Sequence, residues 1–178
     1  MRFTAIDVET ANSDMASICQ IGVARFVDGR VVDEWVTLID PEDRFSSRNV
    51  RVHGIREKDV RGRPTFPQIV RQLDSFLRNE ICVCHTHFDR VALAKVFDKY
   101  GLEPIDLVWL DSATVTRQTW ADCSRRGYGL ADVTRKIGYE FAHHDALEDA
   151  KACGHVLIAA IEVSGVDVDD WVQRIGQP

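Results

Sequence analysis

Phe3-Thr4-Ala5-Ile6-Asp7-Val8-Glu9 is an apolar, β-prone run broken twice by an acid. Alternate side chains of a strand leave by the same face, with Cα atoms about 6 to 7 Å apart, so Asp7 and Glu9 can converge on one point. Two carboxylates among apolar neighbours repel each other and lose hydration, a penalty that a hard divalent cation would remove. The plainer alternative ends the strand at Ile6 and leaves both acids in water.

Outward from this strand the pattern stays β for two more segments. Ile18–Val27 and Val31–Ile39 flank Asp28-Gly29, a dipeptide suited to the positive φ angles of a tight turn. The three segments predict an antiparallel meander. The polar stretch Pro41–Arg63 predicts a loop, and Thr65 with Gln68 has the capping-box spacing that opens a helix to about Leu77. Strand and helix then alternate: Ile81–Cys84 as strand, Asp89–Tyr100 as helix stopped by Gly101, Leu107–Leu110 as strand, and a helix from about Ser112 to Asp122. A short helix around Leu130–Lys136 sits between glycines. Asp145 and Glu148 form a second capping box for a long helix to about Val163. A terminal helix is expected after Gly165, with no role legible. The sum is an α/β domain, a mixed sheet flanked by helices.

Composition narrows the function classes. A length of 178 residues suits one domain spanning 1–178, and 45% hydrophobic with 28% charged residues is globular. No stretch approaches the roughly 18 apolar residues of a membrane span, and Met1-Arg2-Phe3 leads straight into strand, so a cytoplasmic protein is expected. Cys19, Cys82, Cys84, Cys123 and Cys153 are odd in number and scattered, which points to buried free thiols. Cys82 and Cys84 should share one strand face. A net charge of −6 weighs against a module that coats nucleic acid nonspecifically, but not against an enzyme whose bound cations reverse the local sign.

The remaining chemistry collects at element ends. His144 and Asp149, five apart on one helix, would point about 140° from each other. With Asp145 as N-cap, His144 lies outside the helix and can fold over its N-terminus toward Asp149, where the helix dipole favours a phosphate. Asp89 stands where a helix begins, a position that an N-cap role would explain by itself. Strand C-terminal ends and helix N-terminal ends are where clefts form in α/β sheets. Arg117, Arg125 and Arg126 with Trp120 and Tyr128 can make a basic, aromatic surface for a single strand, or simply a solvated face. The same two readings apply to Arg44, Arg48 and Arg51.

In order and spacing these motifs resemble the DEDDh exonucleases, the family that includes the proofreading epsilon subunits of bacterial replicative polymerases, ribonuclease T and oligoribonuclease. The resemblance covers about residues 3–160, with Ile6-Asp7-Val8-Glu9-Thr10 as first motif, Phe88-Asp89 as second, and His144 four residues before Asp149 as third. Val52-His53-Gly54-Ile55 and Pro64-Thr65-Phe66 are similar to the family's segment beside the active site. The chain departs from the family before Asp89, where Cys84-His85-Thr86-His87 replaces the usual His-Asn pair. His143 adjoins His144, but only His144 has the family interval to Asp149.

The resemblance implies a ribonuclease H-like fold and removal of nucleotides from the 3′ end of single-stranded DNA or RNA as nucleoside 5′-monophosphates. It implies two Mg²⁺ or Mn²⁺ ions on Asp7, Glu9, Asp89 and Asp149, with His144 taking a proton from water, a task suited to a side chain that titrates near neutral pH. It also implies that Thr10, Ala11, His53 and Phe88 line the terminal-nucleotide pocket, that DNA repair or proofreading is the setting, and that a polymerase partner or a homodimer is possible. Two alternatives stay open: a non-catalytic nucleic-acid-binding or polymerase-associated subunit with this fold, and a metal phosphatase acting on small esters.

Overall fold

The protein is described by a computed structural model covering residues 1–176. Strands β1 (Arg2–Thr10), β2 (Ile18–Val27) and β3 (Arg30–Leu38) form the expected meander, and β4 (Ile81–Cys84) and β5 (Val108–Asp111) extend it to one five-stranded sheet of order β3-β2-β1-β4-β5. β1 runs antiparallel to β2 and parallel to β4, which is in turn parallel to β5. The chain therefore leaves β1 in one direction through the meander and returns on its other side, placing β1 at the centre.

Helices cover both faces. α3 (Phe66–Leu77) and α4 (Phe88–Tyr100) pack over Ile6, Val8, Ile21, Val23, Cys82 and Cys84. On the opposite face lie α5 (Ser112–Thr119), α7 (Ala146–Ser164) and α8 (Val168–Ile175), over Phe3, Ala5, Ala24, Phe26, Val83 and Leu110. α8 is the helix expected after Gly165. Capped by Asp167, it buries Val168 and Trp171 in this second core. All five cysteines are buried and free, and Cys82 and Cys84 share a face as expected. No helix among the described residues is long and apolar enough to cross a membrane.

The expected loop of residues 41–63 is corrected. It holds α1 (Ser47–His53) and α2 (Glu57–Val60). Ser46 caps α1 by accepting the Asn49 N–H, and Gly54 ends it in a left-handed turn at φ 77°. α1 buries no residue, so it lacks the apolar stripe that reveals an amphipathic helix. The helix expected to reach Asp122 stops at Thr119, and residues 121–123 make a separate 3₁₀ turn. α6 (Leu130–Ile137) is as expected.

One close approach sets the geometry of everything that follows. The face of β1 carrying Phe3, Ala5, Asp7 and Glu9 pairs with Phe26, Ala24, Gly22 and Gln20 of β2. α7 lies across these residues. At its far end Phe26 stacks on Phe3 with ring centroids 4.9 Å apart, and a Cβ on Gly154 would stand 2.3 Å from the Phe26 ring. At its near end a Cβ on Gly22 would stand 2.2 Å from the Leu147 nitrogen and 2.4 Å from the Ala146 oxygen. Gly22 thus lets the first turn of α7 rest on the sheet beside Asp7. Gly22→Ala should push that turn away, costing about 3 kcal/mol of stability, read as a lowered denaturant midpoint. An unchanged midpoint would show that the contact is not tight.

Candidate active site

β1 pairs with β4 only at Thr4 and Ala5, while its pairing with β2 continues to Thr10. Beyond Ala5 the β4 side of β1 is open, and the Val8 N–H has no strand to bond. Asp89 takes that role: its Oδ1 accepts the Val8 N–H at 3.0 Å. The helix N-cap is His87, and Asp89 is the second residue of α4, so an N-cap role for Asp89 is corrected. Only 2% exposed, Asp89 is instead a carboxylate buried against the open edge of β1.

The other acids arrive from α7. Asp145 is its N-cap, accepting the Leu147 and Glu148 N–H groups, as the spacing predicted. The reciprocal half of the expected box gives way to ion pairing, because Glu148 meets Lys151 at 3.2 Å. Gln20, beside Glu9 across the ladder, accepts the Ala146 N–H at 3.2 Å and so helps fix the helix start. Asp149, in the first turn, accepts the His144 backbone N–H at 2.7 Å. That bond holds His144 in a left-handed conformation at φ 65°, folded over the helix end.

The result is a convergence. Single donor atoms of Glu9, His144 and Asp149 all lie within 4.8 Å of one another. The His143 Nδ1 stands 3.7 Å from Asp149 as well, with its ring against Phe141, so the neighbouring histidine flanks the same acid. Burial is the main cause raising the pKa of each acid. Asp7 is pushed well above its ordinary value by burial and then by the charges of Asp89, Asp149 and Glu9. Glu9 and Asp89 are each pushed up to about 7, chiefly by burial, and Asp149 is raised despite its bond from His144. Such a set is costly unless protons or cations offset it. Hard oxygen donors at this spacing, with an imidazole beside them, fit a hard divalent cation.

Two pockets meet at Glu9 and Phe88. The acid pocket, about 460 Å³, is walled by Asp7, Glu9, His85, Phe88, His144 and Asp149 among others. The side pocket, about 310 Å³, is walled by Glu9, Thr10, Asn12, Met15, Arg48, Asn49, His53 and Phe88 among others. Phe88 is 38% exposed, so it is an open aromatic surface rather than a core residue. The His53 Nε2 donates to the Thr10 carbonyl at 3.1 Å and its Nδ1 accepts the Ile55 N–H at 3.0 Å. Those two bonds define a neutral ring, in keeping with a pKa lowered by burial. Asn49, absent from the sequence expectation, donates to the Thr10 carbonyl and hydroxyl at 2.9 and 3.2 Å. Ala11 is corrected as a pocket-lining residue. It is 0% exposed and belongs with Cys19 and Val60 in a small core under α1 and α2.

The segment that departs from the family has its own order. A carbonyl can only accept, so the His85 Nε2 donates to the Tyr128 carbonyl at 2.8 Å. Its pKa is lowered by burial, so Nδ1 accepts from the Ser112 hydroxyl at 2.8 Å, and Ser112 in turn accepts from the Cys153 thiol at 3.3 Å. His85 thereby ties the 124–129 turn to the acid pocket wall. His85→Ala should lower stability by about 1 to 3 kcal/mol and speed tryptic cleavage after Arg125 or Arg126. Unchanged cleavage would mean that the turn is held by other contacts.

Fold and site together define a carboxylate-rich centre at the strand ends of a ribonuclease H-like α/β domain. The chain matches the RNase T family model, described as exonuclease, over residues 4–157, and so belongs to that exonuclease family. Asp7, Glu9, Asp89, His144 and Asp149 all fall within the matched span. It is similar to the PolC-type DNA polymerase III of Thermotoga petrophila, at 29% identity over 169 residues covering 90% of this chain and 12% of that protein. The counterpart from Streptococcus suis is 27% identical over 159 residues, covering 87% and 11%. The chain thus spans about an eighth of these polymerases. Among solved structures, Exonuclease X bound to 5′-overhanging duplex DNA superposes with a TM-score of 0.76 at 20% identity, over 96% of this chain and 98% of that one. Exonuclease I superposes at 0.78 and 17% identity, over 97% and 42%. These two establish the fold. The family match makes the chain a nuclease-type hydrolase.

Proposed function

We propose that this chain is a divalent-metal-dependent exonuclease that shortens single-stranded DNA or RNA from its 3′ end, one nucleoside 5′-monophosphate at a time. One observation carries the reading: a cluster of raised-pKa carboxylates opens directly into a compact side pocket, the two sharing Glu9 and Phe88. A pocket of about 310 Å³ is in the range of small-ligand sites and suits one terminal nucleotide rather than a continuing strand.

Asp7, Glu9, Asp89 and Asp149 would hold two divalent cations, Mg²⁺ or Mn²⁺, whose positive charge would act on both sides of the scissile phosphate. His144 would take a proton from the attacking water at the ring nitrogen near Glu9 and Asp149. The new bond joins the water oxygen to phosphorus, and the broken one frees the 3′ oxygen of the shortened strand, which takes up a proton from solvent as His144 returns its own to solvent. Phe88 would stack on the terminal base, and Thr10, fixed by His53 and Asn49, would meet its sugar. The single domain of 1–178 would be sufficient for this reaction.

The polymerase relatives support a place beside a polymerase in proofreading or repair. Five buried free thiols fit a reducing compartment such as the cytoplasm. The test is digestion of matched 5′-labelled DNA and RNA oligomers with Mg²⁺ or Mn²⁺. A ladder shortening stepwise from the 3′ end is expected. Internal fragments at early times, or preferential hydrolysis of a simple phosphate monoester, would overturn the reading.

A further inference from the structure

Between residues 54–63 and the start of α7 lies a cavity of about 890 Å³ that plays no part in the reaction described above. It adjoins both functional pockets. His53 is on its wall and on that of the side pocket, and His144 is on its wall and on that of the acid pocket. Its remaining wall includes Lys58, Arg61 and Arg63, all exposed.

These three cations have no carboxylate at ion-pair distance among the described residues. Arg63 Nε makes only a long 3.5 Å bond to the Asp59 carbonyl. The two carboxylates on the same wall are engaged elsewhere: Asp59 accepts the Arg56 N–H, and Asp145 caps α7. Three cations against two carboxylates leave this wall with one excess positive charge in a chain of net charge −6, and the three cations are the groups with no carboxylate at ion-pair distance. In the Arg117, Arg125 and Arg126 cluster, by contrast, Arg117 is bonded to the Ser124 carbonyl and laid on the Tyr128 ring. At almost three times the volume of the side pocket, the Lys58 cavity exceeds what one nucleotide fills.

We propose that this cavity holds backbone phosphates of the nucleic-acid strand upstream of the scissile bond, with Lys58, Arg61 and Arg63 as their contacts. The inference rests on the exonuclease reading for which end of the strand sits in the side pocket. Three unpaired cations beside the acids would hold the polyanion in register while each terminal nucleotide is removed, and would favour strands over dinucleotides.

The test is equilibrium binding by the full chain carrying Asp7→Asn, with Mg²⁺ present, so that affinity is read without turnover. The probes are a fluorescent single-stranded decamer and a nucleoside 5′-monophosphate. Adding Lys58→Ala, Arg61→Ala and Arg63→Ala should weaken decamer binding about tenfold or more. The slope of log affinity against log salt should fall by about 2, at roughly 0.7 per lost phosphate contact. Affinity for the monophosphate should stay within twofold, and the swap Lys58→Arg, Arg61→Lys, Arg63→Lys should restore the decamer slope. An unchanged decamer slope, or an equal loss for the monophosphate, would overturn the proposal. A wild-type chain that binds the decamer with this salt dependence but releases no mononucleotide would instead refute the exonuclease reading alone.

Discussion

Asp7→Asn should reduce mononucleotide release on the order of 10³-fold or more while leaving the fold intact. The substitution keeps the side chain's shape and removes one charge from the point where Asp89, Asp149 and Glu9 all press on it. Groups that act as one unit lose most of their effect when any is removed, so the remaining three acids should not rescue the reaction. The same change relieves repulsion, so the metal-free variant should melt no lower than the parent. The measurement pairs release from a single-stranded oligomer with a thermal melt. Full activity with normal melting would remove Asp7 from the centre; lost activity with a collapsed melt would make its role structural.

The metal-free protein should become less stable as pH rises from 5 to 8. Glu9 and Asp89 are pushed up to about 7, and Asp7 is raised well above its ordinary value by burial and four neighbouring acids. A carboxyl whose folded pKa is raised binds its proton more tightly in the native state. Its stabilising contribution is therefore complete below the unfolded value, near 4, and is lost as pH climbs through the folded value. Above pH 7 the charges face one another without compensation. Divalent cation should reverse the trend, raising Tm at pH 8 by about 5 to 10 °C at a hundredfold excess over Kd, with little effect at pH 5. Scanning calorimetry with EDTA or Mg²⁺ at the two pH values checks both signs. A flat pH profile with no cation effect at pH 8 would contradict the electrostatic account.

What was legible in the sequence follows from how local each signal is. The alternation from Phe3 to Glu9 encodes a strand face, and the structure places Asp7 and Glu9 on it together. Asp145 as an N-cap is likewise a local signal, and it resolves the 140° problem by leaving His144 outside the helix. Asp89 was located by the family resemblance, but its bond to Val8 depends on where the β1–β4 ladder ends, a tertiary fact. Gly22 and Gln20 were invisible for the same reason, since nothing near them says that α7 crosses β2 there. α1 escaped notice although Ser46, Asn49 and Gly54 spell its two caps, because a helix with no buried residue has no apolar period. Asn49 escaped with it.

The central claim is that the acids at the end of β1 form a divalent-cation centre, and counting Mn²⁺ bound to the metal-free chain by paramagnetic titration tests it most directly. The account predicts two ions per chain at neutral pH, as in two-metal centres, with at least one lost in Asp7→Asn. No saturable Mn²⁺ binding by the wild-type chain, or equal binding by the Asp7→Asn variant, would contradict it.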